Sequence, residues 1–208
     1  MDAMEAILTR RSTRRFADKP IPKETLETLL RAAMASPTAV NARDWAFLVI
    51  TDKETLNKMA DVNGPAADPL WKAAAGILIC GDLHRAFVKA PDFWVIDGAI
   101  AAENTLIAAQ ALGLGAVWLG TWPRADAVLG QKTLFDLPEH ILPHSILALG
   151  WPEGDLTAPR PDRYEEEKVH WEKMVKNLPH GVEKRRAADF YFVPAFSSRF
   201  FSFLDSIT

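Results

Sequence analysis

Gly113-Leu114-Gly115-Ala116-Val117-Trp118-Leu119-Gly120 is the stretch whose reading decides the fold. Its glycines superficially suggest a dinucleotide fingerprint, but their spacing does not fit G-x-G-x-x-G. The order of elements is also wrong. Residues Phe93 to Leu112 read as a long alanine-rich helix ended by Gly113, and Gly115 to Leu119 read as a strand. A dinucleotide fold needs strand, loop, then helix, so that reading is rejected. A helix apolar on most faces belongs in the centre of a core or at a subunit interface. Gly120, at the end of the strand, would let the backbone approach a flat ligand closely.

Working outward, the other elements interleave. Met4, Ile7 and Leu8 stand at i, i+3 and i+4 and predict a short first helix ending near Arg11. Pro22 suits the start of a second helix, with a stripe of Leu26, Leu29, Leu30, Ala33 and Met34 that Ser36-Pro37 stops. Trp45 to Ile50 has strand length and β-forming residues, and Asp52 caps a helix through about Met59. Asn63 to Trp71 reads as loop, Ala75 to Cys80 as a second strand, and a short helix follows Pro123. Ser145 to Leu149 reads as a fourth strand, and Glu165-Glu166-Glu167-Lys168 as the opening of a last helix reaching about Val175. Interleaved strands and helices give an α/β or α+β layered domain.

The bulk numbers exclude several classes of function. The chain has 208 residues, enough for one domain with a real core. Its formal net charge of −3 argues against broad binding to nucleic acid. Cys80 is the single cysteine, which rules out internal disulfides and a thiolate-rich metal site; its apolar setting reads as an inert core thiol. The N-terminus lacks the pattern of a signal peptide, and the apolar stretch from Ile96 to Leu119 carries Asp97, Glu103, Asn104 and Gln110, so no membrane span is expected and a cytoplasmic location is the default. The tail is different: Lys184-Arg185-Arg186 precedes Phe190, Tyr191, Phe192, Phe196, Phe200, Phe201 and Phe203. So many aromatic residues are expected to pack on a partner subunit.

Positive charge is concentrated in Arg10-Arg11-Ser12-Thr13-Arg14-Arg15, closed by Phe16. If this segment is extended, Arg10, Ser12 and Arg14 share one side and Arg11, Thr13 and Arg15 the other. Three such donors suit one terminal phosphate. Capping of the first helix, or a solvated basic patch, would use the same residues. A second candidate is the loop Ser36-Pro37-Thr38-Ala39-Val40-Asn41-Ala42-Arg43-Asp44, where a helix ends just before a strand and polar groups collect. An ordinary helix stop followed by an Asx turn would look the same. Arg160 and Arg163 return cationic groups late in the chain.

Taken in order, these motifs resemble the nitroreductase family of FMN-dependent NAD(P)H oxidoreductases. The matching segments are Arg10 to Phe16, Ala33 to Asn41, Gly113 to Gly120, Leu149-Gly150-Trp151-Pro152, and Asp162-Arg163-Tyr164. The resemblance implies an α+β, three-layer fold with a central, mostly antiparallel sheet flanked by helices, in an intertwined homodimer with FMN at the interface. It implies an FMN-binding domain over 1–176 and an aromatic extension over 177–208.

By motif match, Arg10, Ser12 and Arg14 would hold the phosphate and ribityl, with Arg11 assisting and Arg160 and Arg163 closing the seat. Pro37, Thr38 and Asn41 would pack on the isoalloxazine from the opposite subunit, and the backbone at Leu119 and Gly120 would face flavin N5. NADH or NADPH would serve as co-substrate and a nitroaromatic or quinone as acceptor, in alternation. Water can protonate products, so no side chain is nominated as a catalytic acid or base. A reductive dehalogenase, a flavin-fragmenting enzyme and a non-catalytic FMN or nucleic-acid binding module are the alternatives.

The sequence departs from the family at Arg43-Asp44-Trp45, where many members carry glutamine before Pro-Trp. Arg43 would favour an anionic substrate, or the nicotinamide dinucleotide's phosphates, unless Asp44 neutralises it as a surface pair. Residues 61–72 and 84–94 are candidate lids, with Trp71, Phe87, Phe93 and Trp94 as stacking or core groups.

Overall fold

Ile77, Leu78, Ile79 and Cys80 are all buried, although successive residues of a strand point to opposite faces. Both faces of their sheet are therefore covered. The computed structural model describes residues 1–154 and 160–174. Within Met1–Arg160, which forms one unit, the order is α1 (Ala3–Thr9), β1 (Phe16–Ala17), α2 (Lys23–Met34), β2 (Trp45–Ile50), α3 (Lys53–Asn63), β3 (Ala75–Asp82), α4 (Phe93–Ala111), β4 (Gly115–Gly120), α5 (Ala125–Leu134) and β5 (Ile141–Pro152).

The sheet is antiparallel. β5 lies between β4 and β3, β2 pairs with the far side of β3, and β1 pairs with the last two residues of β5. One face packs Leu56, Met59 and Leu70 against Leu78 and Ile146. The other packs Leu29, Ala102 and Leu106 against Ile77, Ile79, Leu147 and Leu149. The result is the expected α+β three-layer arrangement of helices, sheet and helices.

Local chemistry explains most boundaries. Asp2 and Asp52 cap α1 and α3 by accepting the backbone N–H of Glu5 and Thr55. Gly113, with φ of 76°, takes the left-handed conformation that lets the chain turn from α4 into β4. Gly115 has no room for a side chain, because a Cβ there would lie 2.6 Å from Thr13 Cγ2. That close approach draws the arginine-rich segment onto β4.

Residues Pro65–Trp71 form 3-10 turns, with Ala67, Pro69 and Leu70 buried, so the stretch expected as loop or lid is part of the core wall. The fourth strand runs from Ile141 to Pro152, well beyond Ser145–Leu149. Its early part escaped notice because Pro143 and His144 interrupt the β-forming run. The register between Ile79–Ser145 and Cys80–Pro143 takes up His144 as a bulge. In α1, which is present as expected, Met4, Ile7 and Leu8 are exposed and Ala6 alone is buried. In α2, Leu26, Leu29 and Ala33 are buried, but Met34 is exposed. Trp94 is core, packed edge-on to Trp122 and His144, while Trp71 and Phe93 are exposed.

The second unit begins at Pro161. Its described part holds an Asx turn, in which Asp162 accepts the Tyr164 N–H at 2.9 Å, and a single 3-10 turn, Glu166–Lys168, with a Lys168–Glu165 ion pair. No α-helix grows from it as far as residue 174, contrary to expectation. Val169, Trp171 and Met174 are exposed, and a short helix with no packed face is marginal whatever charge its first turn carries. The aromatic tail, 177–208, lies outside the described residues.

Candidate functional site

Ser12 forms a parallel bridge to Ala116 of β4, and the Thr13 N–H donates to the Ala116 carbonyl at 2.9 Å. The chain is thus extended at Ser12 and Thr13, where the alternation supposes it to be. Thr13 points inward and Phe16 is buried, while Ser12 and Arg14 are exposed. Among the described residues neither the Ser12 hydroxyl nor the Arg14 guanidinium makes a hydrogen bond or ion pair. Arg10 differs: its Nε meets Glu103 of α4 at 3.0 Å, which leaves its terminal nitrogens as the remaining donors. Arg11 is half-buried, and Arg15 is exposed.

Four residues beyond Ala116, β4 ends at Gly120, which is exposed and has open space where a Cβ would stand. At the strand rise, the two positions are about 13 Å apart. The Gly120 backbone is held from behind by Asn63, the last residue of α3. Its Nδ2 donates to the Gly120 carbonyl at 3.1 Å and its Oδ1 accepts the Thr121 hydroxyl at 2.8 Å. Arg124 donates to the Asn63 carbonyl. Asn63 and Thr121 are both fully buried. Sequence reading passed over Asn63 because an asparagine before a glycine at a helix end looks like ordinary termination. Asn63→Ala leaves a buried hydroxyl and a carbonyl without their partner, so we expect a loss of about 1 to 3 kcal/mol, read from the urea unfolding midpoint.

The loop after α2 reaches the same end of the sheet. Trp45 pairs with Gly81, Gly81 with Leu142, and Gly120 with Ser145, so the start of β2 and the end of β4 stand at one end, with β3 and β5 between them. The loop is built from unusual backbone: Val40, Asn41 and Arg43 have φ of 48°, 58° and 52°. Left-handed geometry at a β-branched valine carries a strain cost that surrounding contacts must offset. Three contacts do so. Asp97 of α4 accepts the Ala39 N–H through both carboxylate oxygens at 3.2 and 3.0 Å. Thr38 Oγ1 accepts the Arg43 N–H at 3.0 Å. Asn41 Oδ1 accepts Arg43 Nε at 3.1 Å. Pro37 and Asn41 are exposed and Thr38 half-buried.

Asp44 is not the surface partner of Arg43 that its neighbourhood in sequence suggested. It is 1% exposed, and its carboxylate oxygens have no donor among the described residues. The group facing it is Asp97, with Asp82 nearby. Burial, and then repulsion from Asp97, pushes the Asp44 pKa up to about 6. Leu119 is buried, so at this strand end it is backbone that is offered to a ligand.

Arg160 is half-buried at the end of the first unit; Arg163 belongs to the second, just inside its Asx turn. Cys80 is buried with its pKa pushed up to about 12, the state of an inert thiol. Asp82, His84 and His140 bring potential ligand atoms within 4.8 Å of one another. The two imidazoles, however, are stacked at 3.9 Å with planes 6° apart. Lone pairs lie in the ring plane, so here they run side by side and do not converge on one ion.

Residues 7–79 and 65–151 match the sequence profile of the Nitroreductase family. The chain is 42% identical, over 174 residues, to a protein of Methanothermobacter thermautotrophicus named as an NADH dehydrogenase/NAD(P)H nitroreductase, covering 83% of this chain and 88% of that one. Among solved structures it is similar to one named as an NADH oxidase from Clostridium acetobutylicum, with a TM-score of 0.77, 36% identity, and coverage of 81% and 99%. An FMN-dependent nitroreductase from Clostridium difficile gives a TM-score of 0.74 at 26% identity, covering 81% of this chain and 99% of that one. An α+β fold with helices on both faces of an antiparallel sheet, shared with these oxidoreductases, defines the class. Within it, this chain belongs to the nitroreductase family.

Proposed function

We propose that the chain is an FMN-dependent NAD(P)H oxidoreductase that works as a homodimer. The observation that carries this reading is the layout of β4: Ser12, flanked in sequence by arginines, is bridged to its first half, and an open backbone position lies at its end. The residues fit FMN. Arg10, Ser12 and Arg14, with Arg11 and Arg160 of the same unit, would supply the cationic forks and hydroxyl that a phosphate monoester requires. Gly120 leaves room for a flat ring, and Asn63 fixes the peptide that would face it. FMN held there would supply reversible hydride acceptance, from NADH or NADPH and on to an electron-poor acceptor such as a nitroaromatic or quinone.

The chain's own residues then bind, orient and leave one face open. Pro37, Thr38 and Asn41, on a loop clamped by Asp97, would pack on the flavin held by the other subunit. Support for a dimer comes from the apolar surface that one chain leaves uncovered: Met4, Ile7 and Leu8 on α1 and Ile96 on α4. No helix among the described residues is long and apolar enough to cross a membrane.

One site serving donor and acceptor in turn gives ping-pong kinetics. Initial rates of the FMN-loaded protein, with NAD(P)H varied at several fixed quinone or nitroaromatic concentrations, should give parallel double-reciprocal lines. Lines that converge to the left of the axis would contradict the alternation, and absence of turnover with any such acceptor would contradict the function.

A further inference from the structure

We infer that Arg43 selects the charge of the molecule that comes onto the flavin, favouring one that carries a carboxylate or phosphate. The inference rests on the flavin reading above and goes beyond it to a substrate class. Three observations support it. First, the charge is not cancelled within the loop. Asp44, the adjacent acid, is buried against Asp97, and among the described residues no carboxylate forms an ion pair with Arg43.

Second, the side chain is held in place. Its backbone N–H is fixed by Thr38 and its Nε by Asn41, two of the residues assigned to the flavin. The bond to Nε uses one edge of the guanidinium and leaves donors on its terminal nitrogens, which can meet two oxygens of an anion together. Third, the placement is built at a cost. Arg43 itself has φ of 52°, in a loop where Val40 and Asn41 are also left-handed, and that backbone is tied down by Asp97. The charge is therefore set beside a binding surface, at the end of the sheet where β4 terminates.

Two molecules could bring the anion: the electron acceptor, through a carboxylate, or the nicotinamide nucleotide, through its phosphates. Unreactive probes distinguish them. FMN-loaded protein and its Arg43→Gln and Arg43→Lys variants would be titrated calorimetrically with benzoate, benzamide, NADP+ and NAD+, and the flavin content of each measured from its absorbance.

We expect Arg43→Gln to keep its flavin and to bind benzoate about tenfold more weakly, with benzamide unchanged, and Arg43→Lys to fall between. If the anion belongs to the nucleotide, NADP+ binding weakens by a similar factor while benzoate is unaffected. Equal binding of all four probes before and after Arg43→Gln, or an equal loss for charged and neutral probes, overturns the inference. Unmodified protein that takes up no FMN overturns the flavin reading instead.

Discussion

Arg14→Ala is expected to leave the protein folded and to weaken FMN binding by roughly 10- to 100-fold, the range for losing a charge-assisted contact to a phosphate. The side chain is exposed and makes no hydrogen bond or ion pair among the described residues, so its removal deprives no neighbour of a partner. Surface substitutions of that kind change stability little. Ser12→Ala removes an uncharged donor from the same side, and a loss of up to about tenfold is expected. Arg10→Ala is the less clean experiment, because it also cuts the Arg10–Glu103 pair that ties the end of α1 to α4. Titration of FMN-free protein with FMN, followed by quenching of flavin fluorescence, gives the ranking directly. Wild-type affinity in Arg14→Ala would place the phosphate elsewhere.

Asp44→Asn is expected to stabilise the protein at pH 8 and to have little effect below pH 4. The sign follows from the raised pKa. In the unfolded chain Asp44 loses its proton near 3.8, whereas in the folded protein it holds the proton to about 6. Between those values the folded state binds more protons than the unfolded state, so stability falls as pH rises and then levels off. The accumulated cost above pH 6 is on the order of 2 to 3 kcal/mol. Asparagine carries no charge toward Asp97 or Asp82 and can donate to the Asp97 carboxylate. Thermal unfolding across pH 4 to 8 should therefore show the variant melting roughly 5 to 10 °C higher at pH 8, with the two curves converging in acid. A variant that melts lower than its parent at pH 8 would mean that the native protein uses an ionised Asp44.

Asp44 also shows where reading the sequence stops. Its letters, Arg43-Asp44, look like a surface pair, and nothing local says otherwise; the carboxyl is instead buried facing Asp97, on a helix far along the chain. The arginine-rich segment was legible for the opposite reason. Period-two geometry is local, and the bridge from Ser12 to β4 needs only the small residue at Gly115 to admit Thr13. The strands β2, β3 and β4 were legible as short runs of β-forming residues. Their antiparallel pairing was legible from the family resemblance and not from the runs themselves, since runs buried on both faces look alike in parallel and antiparallel sheets. The expected last helix failed because charge at a first turn cannot replace an apolar face.

On this reading β4, with Ser12 bridged to it, presents a flavin to a nicotinamide donor. Anaerobic absorption spectroscopy of the purified protein reconstituted with FMN tests it most directly. Addition of NADH or NADPH should bleach the visible flavin band, and a quinone or nitroaromatic should restore it. Protein that retains no FMN after gel filtration, or bound flavin that stays oxidised in the presence of both nucleotides, would contradict the account.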